Sequence, residues 1–309
     1  MTIRALKVAF LGAIIAATSR IAPAQTKPAV LEIVVENLVE YVQNTYFWSP
    51  IRLGDITAVN GRPVKGAYVG VPVKLELNPA PQPGQAVANI TRVSFREESF
   101  QILGLDGVPV GSILTLGTAG GPPPPGAPSA QENGDLAIVG GTGAFLGVRG
   151  EKGRGLSIAP PRAAARDEDP AKRRQIGGGH IREILYVIPL AAPQISKVAH
   201  AADFTAVSAS KPALAGETLL LLANGLGPIR PGSDPGMPFP LTPAAVVNSP
   251  IQVMVNGKAA EVISAIGSPE TVDRYQVNFR VPPGTEKGMA TIQVTAAWIA
   301  SPAATFRVQ

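Results

Sequence analysis

The sequence contains no cysteine and only two histidines, His180 and His200. The absence of cysteine excludes a disulfide framework and all thiol chemistry. Neither histidine has a neighbouring cluster of carboxylates, so their spacing assigns no zinc or iron site. A serine-nucleophile elbow of the form Gly-x-Ser-x-Gly is also missing. These absences predict a protein without metal, cofactor or hydrolase chemistry, and no residue is assigned a catalytic role.

Aromatic and charged residues are scarce, at 5% and 16% of the 309 residues, whereas glycine and proline occur 33 and 31 times. A chain of this length is expected to form about two domains. The composition favours short strands joined by turns over helices. The formal net charge is +5, and no basic stripe with interleaved aromatic residues is present. Nucleic acid and anionic membranes are therefore not expected as partners.

The N-terminus has the pattern of a secretory signal peptide. Arg4 and Lys7 precede an apolar run from Val8 to Ala17, and Ala22-Pro23-Ala24 provides a small-x-small cleavage site. Residues 1–24 are therefore predicted to be a signal peptide, and the mature protein is expected in the periplasm, at the cell surface or outside the cell. The alternative is an uncleaved anchor, but a run of about 10 residues is shorter than the ~20 needed to span a bilayer. No other transmembrane span is visible.

The most informative stretch is GDLAIVGGTGAFLGVRGE, residues 134–151. It predicts a strand, a sharp turn built on Gly140, Gly141 and Gly143, and a second strand. A dinucleotide-binding loop is the alternative, but the third glycine of a Gly-x-Gly-x-x-Gly motif would fall at Leu146. The pattern therefore indicates a corner in a closed sheet.

This stretch resembles the signature of the dirigent and allene oxide cyclase superfamily. Three further segments resemble strands of the same proteins: KGAYVGVPVKLEL (65–77), GSILTLG (111–117) and HIREILYVIPL (180–190). The resemblance implies an all-β fold with an eight-stranded antiparallel β-barrel over residues 25–190. It also implies a lumen that holds a small hydrophobic or phenolic molecule, and it is compatible with a homo-oligomer.

Three other stretches of this half have a mixed or loop-like pattern. Lys27 to Phe47 fits both helical and strand spacing, and the resemblance favours the first barrel strand. Gly117 to Gly134 contains four consecutive prolines and is predicted to be an extended loop. Ala165 to Arg174 carries charges of both signs and is predicted to be a solvated loop.

The C-terminal part is predicted to be a separate β-sandwich, residues 203–309, joined by a linker at 191–202. Asn256-Gly257 between two apolar runs predicts a hairpin with a type I′ turn. ETLLLLANGLGP (217–228), YQVNFRVPPG (275–284) and GMATIQVT (288–295) resemble the Ig-like modules, similar to IPT/TIG domains, of exported acidobacterial proteins. That resemblance implies an interaction domain with a protein or cell-surface partner.

Two functions remain open from the sequence. The first is an exported binding or structural protein, whose barrel holds a small ligand and whose Ig-like domain makes contacts. The alternative is a dirigent- or cyclase-like protein, of isomerase type and without cofactor, that orients a reactive intermediate. In the lumen, Arg149 could bind an anionic oxygen and Asp55 could stabilise a cation. Each could equally form a surface ion pair or a hydrogen bond at the barrel rim.

Overall fold

The computed structural model describes residues 27–41, 51–76, 92–118, 136–153, 155–165, 167–232 and 236–309. The predicted signal peptide and most of the predicted proline-rich loop lie outside these residues. Within them, regular helix is confined to a 3₁₀ turn, Pro170–Lys172, and the single-turn helix α1, Arg173–Ile176. All other regular elements described are strands.

The first eleven strands lie between residues 29 and 188. They are β1 (Ala29–Tyr41), β2 (Ile51–Val59), β3 (Arg62–Pro63), β4 (Lys65–Glu76), β5 (Arg92–Leu103), β6 (Pro109–Thr118), β7 (Leu136–Gly143), β8 (Arg149–Lys152), β9 (Leu156–Ala159), β10 (Arg162–Ala164) and β11 (Gly179–Ile188). Leu31, Ile33 and Val35 of β1 are buried and alternate with less buried residues. This period of two explains why the stretch with mixed spacing forms a strand.

Eight of these strands close into an antiparallel barrel. The order is β1-β11-β8-β7-β6-β5-β4-β2, and β2 pairs back with β1 through Ile33 opposite Val59 and Tyr41 opposite Ile51. The predicted eight-stranded barrel is confirmed. Three short strands extend the sheet: β3 pairs with β2, β9 pairs with β11, and β10 runs parallel to the end of β1.

The glycine-rich stretch forms the end of β7 and the connection to β8. Gly140 and Gly141 pair with Leu114 and Ile113 of β6. At Gly143 the backbone has φ +61°, and an added Cβ would lie 2.5 Å from the carbonyl oxygen of Val110. The turn therefore needs glycine at this position for both conformation and space.

Ten strands between residues 194 and 308 form a second sheet. They are β12 (Gln194–His200), β13 (Thr218–Asn224), β14 (Ile229–Arg230), β15 (Val246–Val247), β16 (Ile251–Val255), β17 (Lys258–Gly267), β18 (Tyr275–Arg280), β19 (Gly288–Ala296), β20 (Ile299–Ala300) and β21 (Ala304–Val308). The sheet curls because β17 pairs with β16 through residues 258–260 and with β18 through residues 261–267. Two layers then enclose one core, with Phe279 on one side and Val294 on the other. The β-sandwich-like second part is thereby confirmed.

Two sequence features of this part have clear structural outcomes. Asn256 and Gly257 connect β16 to β17 with φ values of 47° and 75°, as a type I′ turn requires. The predicted linker at 191–202, in contrast, contains β12, which pairs with β13. Ala199 and His200 are buried, and the β12 backbone pairs with β13, so β12 belongs to the second sheet. The connection between the two sheets therefore consists of residues 189–193.

The second sheet covers one end of the barrel. Ala297 and Ile299, on either side of the β19–β20 turn, belong to the same buried cluster as the barrel core, and Trp298 packs against it. Arg230 donates to Asp106 in the β5–β6 turn at 2.8 Å. This end is called proximal below, and the end at which β1, β4, β6 and β8 finish is called distal.

Candidate functional site

The inward-facing side chains divide the barrel lumen into an apolar proximal half and a charged distal half. The apolar side chains include Ile56, Phe100, Ile102, Ile113, Phe145, Val148 and Val187, each 1% exposed or less. At that burial the apolar side chains are closed off from solvent. A lumenal ligand therefore has to enter from the distal half, where Arg52 and Arg96 are partly exposed.

The centre of the distal half is a buried cluster on four strands. Lys152 of β8 places Nζ 2.9 Å from Oε2 of Glu98 on β5 and 3.1 Å from Oε2 of Glu183 on β11. The hydroxyl of Tyr68 on β4 donates to Oε1 of Glu98 at 2.9 Å. The Glu98 and Lys152 side chains are only 1% and 4% exposed. One ammonium group is thus shared by two carboxylates inside the barrel.

A second layer of charge lies between this cluster and the distal end. Nε of Arg52 on β2 donates to Oε2 of Glu40 on β1 at 2.7 Å, and both side chains are partly exposed. Arg96, two positions before Glu98 on β5, places Nη1 3.8 Å from Oε1 of Glu98, and its side chain is 22% exposed. The lumen therefore reaches solvent through these partly exposed groups.

Burial shifts the proton affinity of two groups in the cluster. It raises the pKa of Glu183, an effect that nearby Glu98 reinforces and that Lys152 and Arg96 oppose. Burial also raises the pKa of the Tyr68 hydroxyl well above its usual value, since an ionised phenol would face Glu98 and Glu183. Tyr68 is therefore a hydrogen-bond donor at neutral pH, and Glu183 takes up a proton more readily than an exposed glutamate.

Four buried polar atoms in this region lack a hydrogen-bond partner within the described part of the chain. They are Nε of Arg96, Oγ1 of Thr115, Oε2 of Glu98 and Oε2 of Glu183, the last two being in ion contact with Lys152 but without hydrogen-bond geometry. Unpartnered buried polar atoms are rare in folded proteins and call for an explanation. Since Lys152 compensates the two carboxylate oxygens, Nε of Arg96 and Oγ1 of Thr115 are the two of the four that have no polar partner among the described residues.

Arg149 lies outside the lumen. It is exposed, and its Nη1 donates to the backbone carbonyls of Val139 at 2.7 Å and Val148 at 2.9 Å. Lys152, in contrast, faces inward from the same strand, β8. Arg149 thus makes hydrogen bonds at the barrel rim. This is one of the alternatives to ligand binding that the sequence left open for it.

Asp55 is buried against the outer wall of the barrel. It accepts hydrogen bonds from Asn37 at 3.0 Å, from Arg174 at 2.8 and 2.9 Å, and from Arg173. The hydrogen bonds of Arg174, Asn37 and Arg173 lower the pKa of Asp55, and burial opposes them. The aspartate thus anchors α1 through Arg173 and Arg174, while most of the described residues between 165 and 174 are exposed to solvent, as predicted. The structure does not bring Asp55 and Arg149 together, and ligand binding by either one stays a prediction.

The buried cluster was not predicted, although the sequence carries a signal for it. On β11, Glu183 shares its face with Ile181, Leu185 and Val187, all of which are buried. On β5, Glu98 shares its face with Phe100 and Ile102. A charged residue at the apolar parity of a strand points into the core. When the alternation of each strand is followed in turn, it identifies Glu98 and Glu183 as charged residues that point into the barrel.

The described residues contain further histidine and carboxylate side chains outside this cluster. No group of three or more histidine and carboxylate side chains there is arranged to hold a metal ion. His200 is buried, with Nδ1 2.5 Å from Oε1 of Glu217 and Nε2 3.2 Å from the carbonyl oxygen of Lys211. It therefore holds the 208–217 segment in place. Across the described ranges, no helix has the length and apolar character needed to cross a membrane.

Comparison with known proteins adds little to this geometry. No protein-family model matches the chain, and no curated protein matches it. A search of solved structures returns the N-terminal domain of the Streptococcus gordonii adhesin Sgo0707, with 8% sequence identity, 93% of each chain covered and a TM-score of 0.18. A TM-score this low carries no information about fold or function, so function has to be argued from the site itself.

Proposed function

We propose that this chain is an exported bacterial binding protein whose barrel holds a small molecule in the distal half of the lumen. The observation that carries the proposal is the buried cluster of Glu98, Lys152, Glu183 and Tyr68. The polar group of the ligand contacts this cluster, and the body of the ligand extends toward the distal end. The sandwich-like second part acts as an interaction domain toward a protein or cell-surface partner.

The cost of burying charge supports this assignment. Moving one ion out of water costs several kcal/mol after relaxation, and a buried ion pair is often no more stabilising than well-packed apolar residues. The barrel already has an apolar core of Phe100, Ile102 and Ile113 on the same strands, so folding alone does not require Glu98 or Lys152 beside it. Perturbed ionisable groups placed together in this way are concentrated at functional sites.

The proposed kinship with dirigent proteins and allene oxide cyclases agrees with this location. In that superfamily the barrel interior holds the ligand, and the glycine-rich stretch at residues 134–151 that suggested the kinship builds one wall of the same barrel. The Ig-like, IPT/TIG-style character of the second part is proposed on the same footing, from its sequence segments.

A second candidate function is the orientation of a reactive intermediate, as in a cyclase. The raised pKa of Glu183 favours it, because a buried carboxyl group that holds its proton more tightly than an exposed glutamate can act as a general acid. The distal half would then position the intermediate as well as bind it.

Lumenal binding is tested by blocking the distal half with a bulky side chain. Arg96→Trp places an indole inside the lumen, and Glu97→Trp places the same indole on the exposed outer face of β5. The probe is the neutral dye N-phenyl-naphthylamine (NPN), whose fluorescence rises in apolar surroundings. We expect saturable binding to the full-length protein and to Glu97→Trp, and at least about tenfold weaker binding to Arg96→Trp. Equal affinity of the two variants would overturn the lumenal location.

A further inference from the structure

Among the cations whose side chains are described in the lumen, Arg96 has the weakest ion pair. Lys152 is within 3.1 Å of two carboxylates, and Arg52 is paired with Glu40 at 2.7 Å. The nearest carboxylate oxygen to Arg96 is 3.8 Å away, and its buried Nε has no partner among the described residues. A guanidinium group offers five donors in a planar fork. Its Nε is therefore a buried donor that no described residue satisfies.

Thr115 supplies an available hydroxyl on the same wall. Its side chain is 0% exposed, and Oγ1 has no hydrogen-bond partner within the ranges that the structure covers. Thr115 lies directly opposite Glu98 in the β5–β6 register. Arg96 is the next inward-facing residue of β5 toward the distal end, a diagonal neighbour within reach of a long side chain. Two unsatisfied donors therefore face the same part of the lumen.

The described charges of the distal lumen favour a negative ligand. Arg52 and Lys152 each lie within 3.1 Å of a carboxylate oxygen, whereas Arg96 lies 3.8 Å from Oε1 of Glu98. An anionic group beside Arg96 would pair with this guanidinium, whereas a cationic ligand would add an unpaired charge to a buried site.

We propose that the ligand is a small organic anion whose single carboxylate, sulfonate or phenolate group is bound by the Arg96 guanidinium and the Thr115 hydroxyl. This inference rests on the proposed lumenal binding and adds the chemical class of the ligand. Arginine binds planar oxygen anions through two parallel hydrogen bonds, which are stronger than bonds between neutral groups.

Two dyes that share one aromatic skeleton test the ligand class. Anilinonaphthalene sulfonate (ANS) carries an anionic group, and NPN is neutral. We expect the full-length protein to bind ANS about tenfold more tightly than NPN. In Arg96→Met the preference for ANS disappears while NPN affinity is retained, and in Arg96→Lys part of the preference returns. Arg182→Met, which removes a partly exposed arginine from the outer face of β11, is the matched control and keeps the full preference.

The outcomes separate the two proposals. If Arg96→Trp blocks NPN but Arg96→Met keeps the ANS preference, the lumen binds ligands and the assigned ligand class is wrong. If neither dye binds the full-length protein, both proposals are overturned. If Arg96→Met binds neither dye while its thermal unfolding midpoint is unchanged, the assigned role of Arg96 in binding the anionic group is also contradicted. Removing one positive charge should weaken the binding of the anionic dye only.

Discussion

At the scale of single residues, the unusual feature is a lysine that joins two carboxylates inside a barrel. Lys152 contacts Glu98 and Glu183, and Tyr68 donates to Glu98. Removing the lysine would leave two buried carboxylates together, which is one of the few mechanisms by which a single substitution costs about 3–5 kcal/mol. The cluster therefore behaves as a unit.

Glu183 gives this cluster a pH dependence. Its pKa is raised in the folded protein from an ordinary value near 4.5. The folded state then holds the Glu183 proton more tightly than the unfolded state does. The stability gained from this tighter binding is complete below about pH 4.5 and is lost as pH rises through the folded pKa. We expect the free energy of unfolding of the wild type, relative to Glu183→Gln, to fall with rising pH over this window, by at most about 1.4 kcal/mol per pH unit.

Urea denaturation between pH 4 and 8 measures this difference. Glu151→Gln, on the exposed face of the neighbouring strand β8, is the control and should follow the wild type. A wild type that gains stability relative to Glu183→Gln as pH rises would show that Lys152 dominates and that the pKa of Glu183 is lowered.

At the scale of elements, the β7–β8 connection depends on a glycine that has no room for a side chain. Gly143 and Gly107 both have positive φ, +61° and +83°. A Cβ at Gly107 meets nothing within 4 Å, whereas one at Gly143 overlaps the Val110 carbonyl oxygen. The two positions therefore separate backbone strain from steric overlap.

We expect Gly107→Ala to cost about 1 kcal/mol, the penalty of a left-handed alanine. Gly143→Ala should cost about 1–3 kcal/mol more, because the barrel wall is overpacked as well. Thermal or urea unfolding of the two variants measures the difference. Equal costs would mean that the turn relaxes around the added methyl group.

At the scale of the whole molecule, the barrel is closed at one end by the second sheet. Ala297 and Ile299 extend the barrel core at the proximal end, and Arg230 pairs with Asp106 there. The apolar half is thereby sealed, and the charged half is the part of the lumen that remains in contact with solvent through Arg52 and Arg96. The barrel thus combines a buried apolar core with a charged half, which is where we propose that the ligand binds.

The sequence was sufficient for the β-rich character because strand alternation and turn residues are local signals, whereas the closed eight-stranded barrel and its first strand were expected only from the family resemblance. The β-rich composition, the glycines at 140–143 and the Asn256-Gly257 turn each predict structure within a few residues. The site was harder to predict because its partners are separated along the chain. Tyr68, Glu98, Lys152 and Glu183 meet only after eight strands close, and the pattern Arg96-Glu97-Glu98 taken alone is typical of an exposed strand.

The two residues assigned to the lumen from the sequence show the same limit. Asp55 is adjacent to the inward-facing Gly54, and the bulge at Asn37 with residues 173–174 of α1 supplies its partners from distant positions. Arg149 donates to the Val139 carbonyl on β7 and to the carbonyl of the adjacent Val148. Neither arrangement can be read from spacing, since both depend on which strands become neighbours.

The most direct test of the central claim is a crystal structure of the full-length protein with bound ANS. The account predicts the sulfonate inside the distal half of the barrel, within hydrogen-bond distance of the Arg96 guanidinium and the Thr115 hydroxyl. A sulfonate bound on the outer wall, or at the contact between the two sheets, with Arg96 unoccupied, would contradict it.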